Sequence, residues 1–149
     1  RSHCDWSSDV CSSDLGRVAM GELFSYDLCY LKTIGQNTEK NIKFIDNCML
    51  KPKNQNMNTL GMFGNHTVLA SVYILTKNES ALILNKKINS IIKNNDEVSG
   101  GATILPNNSG LLVRLMCNSS EIIKTEIYDI VRIVRKEILD AEFTDIRKT

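Results

Sequence analysis

The sequence is poor in the residues and motifs by which most enzyme classes are recognised. It contains two histidines, one tryptophan and two prolines among 149 residues. It lacks a His-Glu-x-x-His motif, a Cys-x-x-Cys pair, a Gly-x-Ser-x-Gly elbow and a glycine-rich phosphate loop. No apolar run approaches the roughly 18 residues that a membrane-spanning helix needs. The sequence therefore gives no support to a zinc protease, an elbow-type serine hydrolase, a P-loop protein or a transmembrane protein.

The sequence also lacks a strong charge of either sign. Lys and Arg number 18 and Asp and Glu number 17, which gives a net charge of +1. Without the first 15 residues the balance is 17 − 14 = +3, because that segment holds one arginine and three aspartates. Such a small surplus predicts neither a nucleic acid nor an anionic membrane surface as a partner.

The opening segment, residues 1–15, shows neither the helical nor the strand period of apolar residues. One back-translation of residues 4–15 resembles a common sequencing adapter read in frame, and such segments are set aside before fold reasoning. A signal peptide would need an apolar run that is absent, and a metal or disulfide pair would rest on Cys4 and Cys11 alone. We predict that residues 1–15 are non-native and disordered and that residues 16–149 form the domain.

The remaining cysteines are Cys29, Cys48 and Cys117, an odd number at wide spacing. An odd set of widely spaced thiols favours a reducing compartment in which they stay free and buried.

Hydrophobic periodicity predicts five strands and two helices. Alternation with period two marks the strands, and apolar residues at i, i+3 and i+4 mark the helices. The strands are predicted over residues 23–34, 42–50, 66–76, 98–105 and 110–117, and the helices over residues 80–94 and 120–141. This order predicts an α+β fold with a mainly antiparallel sheet and a longer C-terminal helix.

Three local features refine this prediction. Asn118 or Ser119 is expected to cap the C-terminal helix, whose apolar stripe fits a core face or, alternatively, a partner-binding face. The Gly100-Gly101 pair is expected to form a tight bend or a bulge. His66, the one histidine after residue 15, is interpreted as structural; pairing it with a cysteine as a thiol hydrolase is the alternative.

The run from Gly16 to Phe24 is the most specific part of the sequence, because it carries a Gly-Arg-x-x-x-Gly-Glu pattern. This pattern resembles that of the urease accessory protein UreD family, called UreH in some bacteria. The similarity continues through most of the chain, at Asp46-Asn47 with Leu50-Lys51-Pro52, at Met62-Phe63-Gly64, and at Leu111 to Leu115 with Arg114.

The resemblance implies a non-catalytic chaperone that delivers nickel to apo-urease with the partners UreF and the GTPase UreG in the cytoplasm. It implies a mostly β, solenoid-like stack with two helices and a homodimer within the accessory complex. It also implies that residues 16–149 are the C-terminal part of such a domain. Nickel would be cargo held transiently, and neither nucleic acid nor membrane is expected as a partner.

Glu22 is the single metal-ligand candidate, because it closes the matching motif and places a carboxylate just before a strand rich in aromatics. A salt bridge to Arg17 is an equally good interpretation of the same residue, and Arg17 is assigned to structure. His66 and Asp27 are weaker candidates. A β-rich protein-binding module with no metal role is the alternative function.

Overall fold

The computed structural model describes residues 8–14, 16–17 and 22–141. In chain order its elements are β1 (Ser8–Asp14), β2 (Gly16–Arg17), β3 (Glu22–Leu23), β4 (Cys29–Gln36), β5 (Ile42–Leu50), β6 (Val68–Leu75), α1 (Asn78–Lys93), β7 (Ser99–Ile104), β8 (Gly110–Cys117) and α2 (Ser120–Leu139). Every strand pairing among these residues is antiparallel. The predicted α+β class with a longer C-terminal helix is confirmed.

The main core lies between a four-stranded sheet, in the order β1-β6-β8-β7, and the two helices. Alternate residues of β6 and β8 point toward the helices. The apolar stripes of the two helices pack against these residues. The core members from these four elements are fully or nearly fully buried: Val68, Ala70, Val72, Ile74, Leu111, Val113, Leu115, Cys117, Ala81, Leu84, Ile88, Ile92, Ile123, Ile127, Ile130 and Val134. The stripe of α2 is therefore a core face.

Helix α2 begins as the sequence predicts. The side chain of Ser119 accepts a hydrogen bond from the backbone N–H of Ile122 at 3.5 Å, and the helix ends at Leu139. Buried Glu126 accepts a hydrogen bond of 2.9 Å from Asn95, which ties α2 to the residues that follow α1. Neither helix of the described ranges is long and apolar enough to cross a membrane.

The outer edge of β7 is covered by side chains of α1. The Asn89 amide accepts a hydrogen bond from the Ala102 N–H at 2.8 Å and donates one to the Ala102 carbonyl at 3.0 Å. Asn85 donates to the same carbonyl at 3.3 Å. These amides supply the partners that a further strand would otherwise provide, so α1 protects the edge of the sheet.

Two glycines allow backbones to approach closely in the β7–β8 hairpin. A Cβ at Gly100 would lie 2.2 Å from the Arg114 carbonyl oxygen, and one at Gly110, where φ is +143°, would lie 1.9 Å from that of Ile74. The register of β7 on β8 runs without a shift from Ser99 to Ile104. The bend or bulge predicted at Gly100-Gly101 is therefore wrong, because the missing side chain serves close cross-strand contact.

Strands β4 and β5 form a separate two-stranded ribbon. The sequence predicts one strand over residues 23–34 with its aromatics on one face, and the structure differs in both respects. Phe24 has φ +57° and Ser25 N–H bonds to the Glu22 carbonyl, so the chain turns before β4 begins. Phe24 packs against Phe63 with ring centroids 5.6 Å apart, whereas Tyr30 is 53% exposed on the outer face of the ribbon.

Two small apolar clusters hold the inner face of the ribbon against the sheet. At one end Leu50 packs with Met57 and Phe63. At the other end Phe44 stacks on Tyr73 with centroids 5.3 Å apart, and Leu105 completes the cluster. The Phe44 ring needs Gly35 opposite it, since a Cβ there would lie 2.1 Å from a ring carbon.

The opening segment departs from expectation. Predicted to be disordered, residues 8–14 form β1, which pairs with β6 from Ser8 opposite Ile74 to Asp14 opposite Val68. Backbone hydrogen bonding along a free strand edge requires no apolar alternation in the added strand, which explains why periodicity missed it. Residues 1–7 and 15 of this segment lie outside the described residues, and the non-native origin of the segment stays a prediction.

The Asn89 amide predicts a measurable stability effect. Asn89→Ala should lower the free energy of unfolding by about 1–3 kcal/mol, because it leaves the Ala102 N–H without its side-chain partner and the Ala102 carbonyl with Asn85 alone. Ser90→Ala, on the exposed side of the same helix, should change it by less than about 0.5 kcal/mol. Urea unfolding followed by circular dichroism measures both. Equal effects would show that the amide contributes only helix propensity.

Candidate functional site

An open groove of about 940 Å³ lies between the inner face of the ribbon and the sheet face opposite the helices. The ribbon strands form one wall, the loop at residues 61–63 closes part of one side, and β6, β7 and β8 form the floor. Because the two apolar clusters hold the ribbon at its ends, the space between them stays open to solvent.

A polar network crosses the middle of this groove. Asp46 on β5 accepts a hydrogen bond from the Tyr73 hydroxyl of β6 at 2.6 Å and one from the Arg114 guanidinium of β8 at 2.6 Å. The Asp46 side chain is 20% exposed and that of Arg114 is 49% exposed. The half-buried carboxylate thus accepts one hydrogen bond from a hydroxyl and one charge-assisted hydrogen bond from a guanidinium. Together they fix the position of the ribbon over the sheet.

The network sets the protonation state of its members. Burial acts to raise the pKa of Asp46, but the hydrogen bonds from Tyr73 and Arg114 and the charge of Arg114 outweigh it, so the pKa lies below its ordinary value. Burial raises the pKa of Tyr73, and the hydrogen bond to Asp46 raises it further. At neutral pH the network holds an anion, a cation and a neutral phenol.

One end of the groove is rich in sulfur. Cys48, Met62 and Met116 line the groove, and together with Cys29 and Met57 they pack in the apolar cluster of Leu50 and Phe63; we call these five sulfur-bearing residues the sulfur cluster. Burial raises the pKa of the Cys48 thiol, so the thiol is neutral. The Tyr26 hydroxyl, also at this cluster, is buried and has no hydrogen-bond partner among the described residues.

Glu22 immediately precedes two residues, Leu23 and Phe24, that pack at this end of the groove. It is half-buried on β3, where the register places it directly opposite Arg17 of β2. Its neighbours Leu23 and Phe24 pack against the cluster that contains Met57 and Phe63. The pairing with Arg17 keeps the salt-bridge interpretation of Glu22 open beside the metal one, since residues directly opposite in an antiparallel pair are near neighbours.

The weaker candidates have other partners. Asp27 forms an exposed salt bridge with Lys53. The His66 ring makes a 3.0 Å hydrogen bond to the Ser99 hydroxyl, and its other ring nitrogen is buried without a partner in the described part of the chain. Within residues 22–141 no three His, Cys, Asp or Glu side chains come together as a metal site. The structure therefore does not join Glu22, Asp27 and His66 into one centre.

The thiol-hydrolase alternative finds no support in the geometry. Cys117 is fully buried, and its thiol donates to the Ser119 carbonyl at 2.9 Å. Cys29 and Cys48 are half-buried free thiols on the ribbon, while His66 bonds Ser99. No cysteine–histidine hydrogen bond is formed among these residues, although nucleophilic activation requires one.

The Asp46–Tyr73–Arg114 network was missed by sequence reasoning, although a signal was present. Asp46 occupies a position that alternates with Phe44 and Cys48 on an otherwise apolar strand face, and Arg114 interrupts the apolar run of β8. Two opposite charges at such positions favour pairing, because an unpaired charge there would be costly. The separation of 68 residues hides which charges meet.

These features define an α+β protein whose core carries a separate two-stranded ribbon and an open groove. The family model described as "UreD urease accessory protein" matches residues 9–148. The chain belongs to the UreD urease accessory protein family.

Curated relatives agree with this assignment. "Urease accessory protein UreD" of Cenarchaeum symbiosum (strain A) is 31% identical over 133 residues, which cover 89% of this chain and 47% of the relative. "Urease accessory protein UreD 2" of Brucella ovis is 29% identical over 138 residues, 93% of this chain and 46% of the relative. The protein of Haloarcula marismortui is 27% identical over 133 residues, 89% and 44% respectively. The chain thus spans about half the length of these relatives.

The network predicts a specific acid sensitivity. The pKa of Asp46 is lower in the folded chain than in the unfolded chain, where it is about 3.9. The stability that this carboxyl contributes is therefore complete above the unfolded pKa and is lost as the pH falls through the folded pKa. At pH 6 Asp46→Asn should therefore lower the free energy of unfolding by about 1–2 kcal/mol, allowing for the half-exposed Arg114, and the difference from the unsubstituted chain should shrink toward pH 2.

The matched control is Asp129→Asn, which breaks the exposed pair with Arg132 on α2. It should change stability by less than about 1 kcal/mol at either pH. Denaturant titrations at pH 6 and pH 2 measure both variants. A penalty for Asp46→Asn that does not depend on pH would contradict the ionic character of the network.

Proposed function

We propose that this chain is part of a non-catalytic urease-maturation scaffold, which acts with UreF and UreG to deliver nickel to apo-urease in the cytoplasm. The observation that carries this proposal is the family match over residues 9–148, joined by relatives that are named urease accessory proteins. The open groove and the separate ribbon suit a scaffold, because they offer surface rather than a closed catalytic pocket.

The charges of the groove argue against the Asp46 network as the place where nickel binds. Its carboxylate already accepts from Tyr73 and Arg114, and the guanidinium charge beside it repels a cation. Glu22 is the better nickel contact, since it is a half-buried carboxylate outside that network, and its neighbours Leu23 and Phe24 pack in the cluster at one end of the groove. One carboxylate completed by water gives the modest affinity that a transfer step needs.

The outer face of the ribbon supports the second candidate function, a protein-binding module without a metal role. Tyr30, Ile34, Ile45 and Met49 project from this face and are 53%, 43%, 51% and 51% exposed. In the register Tyr30 lies opposite Met49 and Ile34 opposite Ile45, with the polar pair Lys32–Asn47 between them; we call the two apolar pairs the apolar row. Exposed apolar rows of this kind mark interaction surfaces. Either function would use this face to hold a protein partner.

The scaffold role predicts direct binding to UreF. The purified chain should retain UreF on an affinity column, and Ile45→Asp should abolish that retention, because it replaces one exposed apolar side chain of the outer face by a charge. Leu82→Asp, an equally exposed leucine on α1, is the matched control and should leave retention unchanged. If neither the chain nor its full-length relative from Cenarchaeum symbiosum retains its UreF, the scaffold proposal is wrong.

The role of Glu22 is tested separately from partner binding. Glu22→Gln should lower the rate of nickel-dependent urease activation by about tenfold or more, the scale reached by substitutions around metal sites, while UreF binding is retained. Glu121→Gln, in the exposed first turn of α2, should leave activation unchanged. If Glu22→Gln instead lowers the melting temperature as much as Arg17→Gln does and leaves activation intact, the salt-bridge interpretation holds.

A further inference from the structure

The sulfur cluster brings together residues that are far apart in the chain. Cys29 and Cys48 come from the ribbon, Met57 and Met62 from the loop after it, and Met116 from β8. Methionine often fills irregular apolar gaps, and this would explain a buried residue such as Met57. It does not explain why Cys48, Met62 and Met116 also line a groove that is open to solvent.

The two thiols have a spacing that suits a bridging metal better than a disulfide. Cys29 lies opposite Leu50 and Cys48 lies opposite Leu31, so the cysteines are diagonal neighbours on the inner face of the ribbon. Diagonal neighbours are about 7–8 Å apart or somewhat less between Cβ atoms. A disulfide needs about 3.5–4.5 Å between Cβ atoms. A sulfur–metal–sulfur bridge, with two bonds of about 2.3 Å each, spans the longer distance between diagonal neighbours.

The surroundings can stabilise thiolates once a metal has replaced their protons. The Tyr26 hydroxyl is buried without a partner in the described residues and interacts electrostatically with both Cys29 and Cys48. It can donate a hydrogen bond to a thiolate sulfur. Arg114 lies close enough to Cys48 for its charge to favour the thiolate. An orphaned donor and a cation are the groups that an anionic metal–thiolate centre requires.

We propose that the sulfur cluster binds one soft monovalent metal ion, Cu(I), between the sulfurs of Cys29 and Cys48, with a thioether of Met62 or Met116 as a further ligand. Thiolate and thioether ligands select Cu(I), whereas carboxylate oxygens suit harder ions. Binding converts two thiols and Cu(I) into an anionic bis-thiolate complex and releases two protons to water, with no change in oxidation state. The site is independent of the nickel role proposed for Glu22.

The first test uses the full chain, reduced and without oxygen. Because Cys4 and Cys11 could bind copper themselves, both are replaced by serine in the starting variant. Competition with a chromophoric Cu(I) chelator and native mass spectrometry should give one Cu(I) per chain. Adding Cys29→Ser or Cys48→Ser should weaken binding by about tenfold or more. Cys117→Ser, which alters a buried thiol bonded to Ser119, should leave binding unchanged.

A second measurement covers the case in which a serine variant does not fold. Alkylation of the unmutated chain, mapped by mass spectrometry, should modify Cys29 and Cys48 in the absence of metal and spare both when Cu(I) is bound. Tyr26→Phe should weaken Cu(I) binding without altering the circular dichroism spectrum. The proposal is overturned if Cu(I) leaves the alkylation of these two thiols unchanged, or if copper binding follows Cys4, Cys11 or Cys117 instead.

Discussion

The contact between Asp46 and its two donors determines how the ribbon sits on the rest of the molecule. Apolar packing at the ribbon ends is non-directional and would tolerate sliding of one layer over the other. A carboxylate that accepts from Tyr73 and Arg114 of two adjacent strands permits one position only. The groove and its sulfur-rich end lie between the ribbon and the sheet, so both take their geometry from that position.

The helices and the β6–β8 sheet could be predicted from the sequence because their apolar residues repeat with a clear period. Leu84, Ile88 and Ile92 in α1 and the alternation of β8 leave little choice of element or of buried face. The break at Phe24 could not be predicted in this way, since a positive φ at a phenylalanine depends on its contact with distant Phe63. Strand β1 was missed for a related reason, because the free edge of β6 rather than its own side chains defines it.

The candidate site was less accessible to prediction than the fold. Sequence reasoning selected Glu22 from a motif, and the structure places it opposite Arg17 without deciding between a ligand and an ion pair. It could not identify the network or the sulfur cluster, whose members are joined only by tertiary contacts. The Asp46 and Arg114 side chains are 68 positions apart, and no local pattern encodes such a pairing. Membership of the UreD family adds the biological setting that neither periodicity nor geometry supplies.

The amide of Asn89 has a consequence for how this sheet can be extended. By occupying the hydrogen-bonding groups of Ala102, it blocks the pairing of a further strand with the middle of β7. The opposite margin of the sheet ends at β1, which has one strand neighbour among the described residues. The two edges of the described sheet therefore differ: the β7 edge is blocked at Ala102 by a helix side chain, so the β1 edge is the one at which a further strand meets no such block.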